Sequence, residues 1–386
     1  MKIVVLGGYG EMGSVAARDL CGTFSGDIII AGRDEGKAKR FASSFRSRRI
    51  TGAYADTSDK GSMDKVLGGA DAVINATNYY HNIEVMEHAL RNGTNYLDLG
   101  GLYHTTLKQL RLHGQFKRRK VLALLGCGST PGITNIMAAH AARAFDSIES
   151  ISIQFGDRDH TDYGMPFVVP YSMYTVIDEF SKRPAVFTGG LMKFVEPLSG
   201  EAMIDFPKPV GRINCFYTLH SELASLPRKF KDKGIMECSF RGGFDREFVR
   251  YTKFLIDTGF ASGEPVSIGK SRVRPVDMAV KLLDRFMPPK DVKINDVEML
   301  RVAIKGRKKG RRSGVAMYCK AVTSRKWNVP AGSWDTGVAP SVLAQMIAGG
   351  RIDAHGVLTS DDECIDSGYF FAMLKRRDMK VFSAHL

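Results

Sequence analysis

The strand "KIVVL" runs directly into Gly8-x-Gly10-x-x-Gly13 and then into a helix, and no other feature limits the fold of this chain so tightly. In "VVLGGYGEMGSVAARDL" Gly8 permits the tight turn and Gly10 lets the backbone approach a pyrophosphate. Gly13 allows the helix to pack closely on the strand. The helix N-terminus offers unpaired N–H groups and partial positive charge to the phosphates. Met12, Val15, Ala16 and Leu20 give this helix its buried face, and the turn residues Tyr9, Glu11 and Met12 join the glycines as cofactor-contact candidates.

The rhythm that follows agrees. Strands are predicted at residues 2–6, 27–31, 51–54, 71–75, 95–98 and 121–125, with amphipathic or polar segments between them. Such alternation builds a parallel sheet with helices on both faces, a Rossmann-type dinucleotide-binding domain. From about residue 147 to 325 the character is α+β, with longer strands in "IESISIQFGD", "GRINCFYTL" and "GIMECSFRG". "EMLRVAIKG" and "SGVAMYCKAV" alternate at period two on either side of "KGRKKGRR" and predict an antiparallel hairpin with the basic run at its tip. Near the end, "WDTGVAPSVLAQMIAGGRI" predicts a turn, then a helix from Pro340 closed by Gly349–Gly350, and "GYFFAMLKRR" a second helix. Helices without strands of their own need a sheet to cover. The expected fold class is therefore α/β: a discontinuous NAD(P)-binding domain (1–135 and 330–386) with an inserted α+β substrate and dimerisation domain (136–329).

The bulk properties narrow the setting. With 386 residues, 44% hydrophobic and 25% charged, the chain is long enough for two cores. Its first residues enter a strand at once, so no signal peptide is expected, and no apolar run is long enough to suggest a membrane span. Six cysteines without a CxxC pair read as reduced thiols of a cytoplasmic protein, and no cluster of His, Cys and acids has metal-ligand spacing. The net charge of +14 admits nucleic acid as a partner. However, the basic run carries no interleaved aromatic residues to stack bases and reads as a solvated hairpin tip, so no nucleic-acid partner is expected.

The second strand, "IIIAGRD", indicates which dinucleotide is held. An NAD site places an acid at that strand's end to accept bonds from the ribose 2′-hydroxyl. Here Gly32 removes that charge and Arg33 offers a planar cationic fork to a 2′-phosphate, with Lys37, Lys39 and Arg40 adding positive field. NADP is expected over NAD, and Asp34 is expected to cap the next helix. Asp56 past the third strand, and Asn75, Ala76, Thr77, Asn78 and Tyr80 at the end of the fourth, are further cofactor candidates, with Tyr79 or Tyr80 lining the ring. Gly100, Gly126 and Cys127, in glycine-rich strand ends, complete the set; Cys127 reads as a small packing residue, not a nucleophile. Asp98 stands at a strand's carboxyl end, where ligands bind in open α/β sheets, and can take a proton, orient an amine or hold a ribose.

These stretches, with "DAVINATNYY", "YLDLGG", "LGCGSTPGITNI", "FYTLHSELASLP" and "TGVAPSVLAQMIAGGRI", resemble the saccharopine dehydrogenase family, in its short two-domain form typified by lysine 6-dehydrogenases and saccharopine reductases. The likeness is loose between Phe155 and Asn214. It implies hydride transfer at an amino-acid C–N bond, with lysine or saccharopine as substrate, and a homodimer. Such chemistry needs a proton acceptor, for which Asp98 and His220 are the candidates with His104 behind them. It also needs a cationic anchor for a substrate carboxylate, expected at Arg241, and pocket walls, expected at Tyr103, Tyr171 and Tyr174. The Gly32–Arg33 pair departs from the NAD-using lysine 6-dehydrogenases, and free lysine, saccharopine and a polyamine-type adduct all stay open. The same scaffold would also suit an NAD(P)-dependent synthase of polyamine- or opine-like secondary amines that keeps its cofactor bound, or an NADPH-binding protein without turnover.

Overall fold

A computed structural model describes residues 1–165, 167–289 and 291–386. Its first half alternates β1 (Lys2–Leu6), α1 (Glu11–Thr23), β2 (Asp27–Gly32), α2 (Glu35–Ser44), β3 (Ile50–Tyr54), α3 (Lys60–Leu67), β4 (Ala72–Asn75), α4 (Asn82–Asn92), β5 (Asn95–Asp98), α5 (Leu102–Leu110), α6 (His113–Arg119) and β6 (Leu122–Leu125). Most strands are short apolar runs closed by a turn, and α1 to α5 each begin at a polar or glycine stop. Asp34 caps α2, accepting from the Lys37 N–H at 2.8 Å, as its sequence position predicts.

The second half comprises α7 (Ile133–Ala142), β7 (Ser147–Asp159), α8 (Met173–Ser181), β8 (Ala185–Thr188), β9 (Leu191–Phe194), β10 (Ala202–Asp205), β11 (Arg212–Phe216), α9 (Glu222–Lys229), β12 (Glu237–Gly243), α10 (Arg246–Asp257), β13 (Val266–Ile268), β14 (Ser271–Val273), α11 (Pro275–Leu283), β15 (Asp296–Lys308) and β16 (Arg311–Val322). The chain closes with α12 (Ala331–Ala348), β17 (Gly356–Thr359), α13 (Ser367–Lys375) and β18 (Lys380–His385).

Seven parallel strands form the first sheet in the order β17-β6-β5-β4-β1-β2-β3. The order reverses between β1 and β4, and at such a switch point the strand ends part to leave a crevice for a dinucleotide. The second sheet is mixed and nine-stranded, running β10-β11-β12-β7-β15-β16-β18, with β8 attached to β12 and β9 to β8. Its β15–β16 hairpin turns at Lys309–Gly310, both at positive φ, a type I′ turn whose twist matches the strands. The inner face of this sheet (Ile151 and Ile153, Phe240, Leu300, Val302 and Ile304) shares one continuous core with β1, β2, α1 and α12. The outer face carries Val297, Met299 and Tyr318 in a separate cluster.

Helix α12 returns to pack on α1, where Gly337 allows close approach: a Cβ there would stand 2.5 Å from that of Val15. Buried Asp19 on α1 accepts from Ser341 at 2.6 Å and from the Arg377 guanidinium at 2.6 and 2.9 Å, tying α1, α12 and the end of α13 together. The closing segment differs from the sequence expectation in three ways. The helix starts at Ala331, so Pro340 lies inside it, at a position buried on all sides by packing. The four residues of β17, too short to announce themselves, extend the first sheet beside β6. Residues 380–385 form β18 alongside β16, so the last strand belongs to the second sheet and not with 330–386 in the first.

Candidate active site

A cavity of about 600 Å³ opens at the carboxyl edge of the parallel sheet. Its floor is the first turn of α1 (Glu11, Met12), the turn after β4 (Ala76, Thr77, Asn78, Tyr79), Gly100 and the segment Ser129–Pro131. Its far wall is the inner face of the second sheet, with Phe155, Asp157 and Asp159 on β7 and Asp296 and Glu298 on β15. The first turns of α12, the chain around Tyr171, Glu179 on α8, and His220 close the sides.

The floor fits a dinucleotide. No side chain caps α1, so its leading N–H groups are left for an anion. At Gly13 an added Cβ would stand 2.3 Å from the Gly7 carbonyl oxygen, and at Gly8 it would stand 2.7 Å from that of Val5, so neither position tolerates a side chain. Tyr9 folds its ring against Gly32, and its hydroxyl accepts from the Asp34 N–H at 2.9 Å, bracing the turn after β2. Arg33, exposed on that turn, makes no hydrogen bond among the described residues. Asp56 lies nearby, its carboxyl held below the usual range by bonds from Ser58 and then by the Arg33 charge.

Other cofactor candidates are inner supports. Asn75 is buried, donating to Asn82 at 3.0 Å and accepting from Thr77 Oγ1 at 2.6 Å. Cys127 is fully buried with its thiol on the Leu124 carbonyl, so only its backbone lies near the strand end. Tyr80 leans outward, 54% exposed, and with Tyr79 donates to Asp178 on α8; Lys182 Nζ lies 2.9 Å from the other oxygen of that carboxylate. This bridge joins the turn after β4 to the second domain.

Asp98 does not reach the cavity. Its carboxyl is buried and accepts five bonds: Gly126 N–H at 2.8 Å, Gly100 N–H at 3.0 Å, Gln109 Nε2 at 2.6 Å, Tyr96 OH at 3.0 Å and Asn82 Nδ2 at 3.1 Å. Burial raises its pKa, and those bonds pull it back. So ringed, the carboxyl clamps β5, β6, α4 and α5 together and cannot take a substrate proton. Asp98→Ala would leave several buried donors unpaired and should cost about 3–5 kcal/mol of unfolding free energy in denaturant titration.

Arg241 is likewise displaced, by strand alternation. On β12 Phe240 points inward and stacks on the His220 ring with centroids 3.8 Å apart, so Arg241 points out of the other face. There it lies over Tyr217 and donates to its hydroxyl and, at 3.0 Å, to the Gly200 carbonyl. It cannot anchor a ligand in this cavity. Tyr103 is buried in the core, and His104 is exposed with its ring on Phe194. Tyr171 lines the cavity but precedes α8, so it shares no helix face with Tyr174, whose hydroxyl donates to Asp277 at 2.9 Å.

His220 does line the cavity, in a state the sequence did not suggest. Its Nδ1 lies 2.9 Å from Glu222 Oε2 and its Nε2 lies 3.6 Å from Glu179 Oε1, while Glu179 also accepts from Tyr171 OH at 2.6 Å. Burial pushes the imidazole pKa down, but the two carboxylates more than offset this and raise it to about 10. At neutral pH His220 is an imidazolium: an acid with one nitrogen fixed by Glu222 and the other turned toward Glu179.

The charge of the cavity is the feature that sequence reading missed. Among the described residues its lining holds seven carboxyls (Glu11, Asp157, Asp159, Glu179, Asp245, Asp296 and Glu298) and no lysine or arginine, within a chain of net charge +14. On β7 and β15 Asp157 faces Glu298 and Asp159 faces Asp296 in register. Like charges directly opposite each other destabilise a sheet unless something else compensates them. Asp296 is spoken for at the N-terminus of α12, accepting from the Ala331 N–H at 2.9 Å. Burial and then the neighbouring acids Asp296 and Asp159 lift Asp157 to about 6.

Residues 3–124 match the family described as "Saccharopine dehydrogenase NADP binding domain", and residues 128–378 match "Saccharopine dehydrogenase C-terminal domain". A carboxyaminopropylagmatine dehydrogenase from Synechocystis sp. is 25% identical, over 97% of this chain and 95% of its own length. A carboxynorspermidine synthase from Vibrio cholerae is 26% identical, over 67% of this chain and 66% of its own. Among solved structures, apo saccharopine dehydrogenase (L-Glu forming) from Saccharomyces cerevisiae superposes with a TM-score of 0.77 at 14% identity, covering 100% of this chain and 99% of its own. Homospermidine synthase from Legionella pneumophila in complex with NAD gives 0.61 at 13% identity, covering 100% and 91%. The chain belongs to the saccharopine dehydrogenase family of NAD(P)-binding oxidoreductases.

Proposed function

We propose that this member of the saccharopine dehydrogenase family is an NADP-preferring reductase that joins a cationic amine to an amino-acid aldehyde, forming a secondary amine of the polyamine type. The observation that carries this reading is the set of seven carboxyls lining the cavity, with no lysine or arginine among the described lining residues. Saccharopine, with three carboxylates against two ammonium groups, would be repelled there. Lysine, with two ammonium groups against one carboxylate, brings less positive charge to these walls. A carboxyaminopropyl adduct of agmatine carries three cationic nitrogens against one carboxylate, and the names of two relatives point to adducts of this kind. The earlier expectation of lysine or saccharopine gives way to this alternative.

The chemistry follows by disconnection. A carboxyaminopropyl group on nitrogen separates at its N–CH2 bond into a primary amine and 2-amino-4-oxobutanoate. Amine and aldehyde condense with loss of water to an imine, the imine nitrogen takes a proton, and its carbon takes a hydride. NADPH, held over the N-terminus of α1 and the turn after β4, would supply that hydride. His220 carries the proton: its imidazolium hydrogen-bonds the nitrogen and leaves a neutral ring, stabilised in its tautomer by Glu222. The acidic walls favour the iminium and its cationic chain over neutral competitors.

The test is loss of absorbance at 340 nm with NADPH, 2-amino-4-oxobutanoate and agmatine or 1,3-diaminopropane, with the product mass confirmed. Oxidation that requires both organic substrates supports the reading. Amine consumed without net NADPH loss would instead identify a synthase that retains its cofactor. Arg33→Ser should weaken NADPH binding about 10- to 100-fold with little change for NADH, as expected for loss of a charge-assisted bond to a phosphate. Fluorescence titration with both nucleotides checks it.

A further inference from the structure

Glu298 and Asp335 form an arrangement that hydride transfer does not require. Glu298 is on the far wall of the cavity; Asp335, on the second turn of α12, is fully buried. One oxygen of Asp335, Oδ2, is buried without a hydrogen-bond partner among the described residues. Gly332 leaves room for the Glu298 carboxyl at this spot, since an added Cβ would stand 2.3 Å from Glu298 Oε2. Asp157 stands opposite Glu298 across the β7–β15 ladder. Burial holds both Glu298 and Asp335 well above the usual carboxylate range, and at Glu298 the charges of Asp335, Asp157 and Asp296 add to it.

Position along the strands says what this group can meet. Phe240, on which His220 stacks, pairs with Ile153 on β7, and Asp157 lies four residues further along that strand. The offset is about 13 Å. A substrate held with its reacting nitrogen at His220 would extend an alkyl chain past Phe155 to these acids.

We infer that Glu298, Asp335 and Asp157 form a proton-exchanging subsite for the distal ammonium or guanidinium group of the amine substrate. Empty, Glu298 and Asp335 share a proton that holds their charges apart. An arriving cation supplies that charge balance, and the proton leaves to solvent. This inference rests on the reading of the substrate as a polyamine-type cation, and it gives that reading a length rule: a terminal cation one alkyl chain away from the reacting nitrogen.

The probe is calorimetric titration of the NADPH-loaded protein at pH 7 with agmatine and with butylamine, in phosphate and in Tris. The buffer dependence of the enthalpy reports proton release. Agmatine should bind with release of a proton. Glu298→Gln should weaken it by about 30-fold, the worth of a charge-assisted contact, and abolish the release. Butylamine, lacking the second cation, should bind weakly and equally to both proteins. Asp157→Asn gives a second variant should the first fold poorly, and it should weaken agmatine in the same sense. Equal binding of agmatine and butylamine, or agmatine binding unchanged in both variants, would overturn the subsite. Selective agmatine binding with proton release, but no NADPH oxidation when aldehyde is added, would leave the subsite standing and sink the reductase reading instead.

Discussion

His220→Gln is expected to slow the reductive reaction at pH 7 by about 10²- to 10⁴-fold, the span of a positioned general acid, while NADPH binding is unchanged. The imidazolium holds a transferable proton at the cavity wall, fixed there by two carboxylates and an aromatic ring. Glutamine keeps much of its size and can still donate a hydrogen bond, so the loss measures proton transfer and not packing. The pH profile carries the sign. His220 is raised to about 10, so its acid form is present through the neutral range and is lost as pH climbs through that value. Reduction should therefore hold from neutral pH to about 9 and fall beyond it, whereas oxidation of the secondary amine, which needs the neutral ring as acceptor, should rise over the same interval. Glu222→Gln, which removes a carboxylate that raises this pKa, should move both inflections to lower pH. A profile in His220→Gln with the same inflection would assign the proton to another group.

Gly13→Ala should be nearly as damaging, but at a different step. Its methyl group would stand 2.3 Å from the Gly7 carbonyl oxygen and 2.9 Å from Gly8 Cα, and both are backbone, so a shift of the loop must accommodate it. Overpacking of this kind costs about 1–3 kcal/mol. That strain falls on the loop that cradles the pyrophosphate. NADPH affinity should fall about 10- to 100-fold, read by fluorescence titration, with a lowered Tm for the apoprotein. If the dissociation constant stays unchanged while Tm falls, Gly13 only packs the helix and the cradle lies elsewhere.

The parallel half of the fold was legible because its signals are local. Six short apolar runs, a glycine fingerprint and the cap at Asp34 each state their structure within a few residues, and the observed strands fall within one residue or so of those positions. The β15–β16 hairpin was legible for the same reason, with Lys309–Gly310 supplying its turn. Legibility fails where tertiary context decides. Asp98 sits at a strand end that ought to meet ligand, yet donors from Gln109, Tyr96 and Asn82 enclose it. His220 looked like a base with an ordinary pKa because sequence alone placed neither the buried carboxylate of Glu222 against its Nδ1 nor Glu179, 41 residues upstream, beside its Nε2.

A usable signal for the acidic wall was nevertheless present in the sequence. Leu300, Val302 and Ile304 fix the inward phase of β15, and Asp296 and Glu298 share that phase. Ile151, Ile153 and Phe155 do the same on β7, with Asp157 and Asp159 in step. Acids continuing the buried phase of two strands mark a place where the core gives way to a polar site. The same count of phase on β12 would have sent Arg241 outward once Phe240 was known to point in.

Side-by-side rates of NADP⁺ reduction near pH 9 with L-lysine, saccharopine and carboxyaminopropylagmatine test the central claim, that an acid-walled cavity selects a polycationic amine. The account predicts that the agmatine adduct is oxidised with a kcat/KM at least about 100-fold above either other substrate, the scale of an interaction with a charged group lost from the site. Lysine or saccharopine oxidised as fast or faster would contradict it, and would mean that the carboxyls lining the cavity do not choose the substrate.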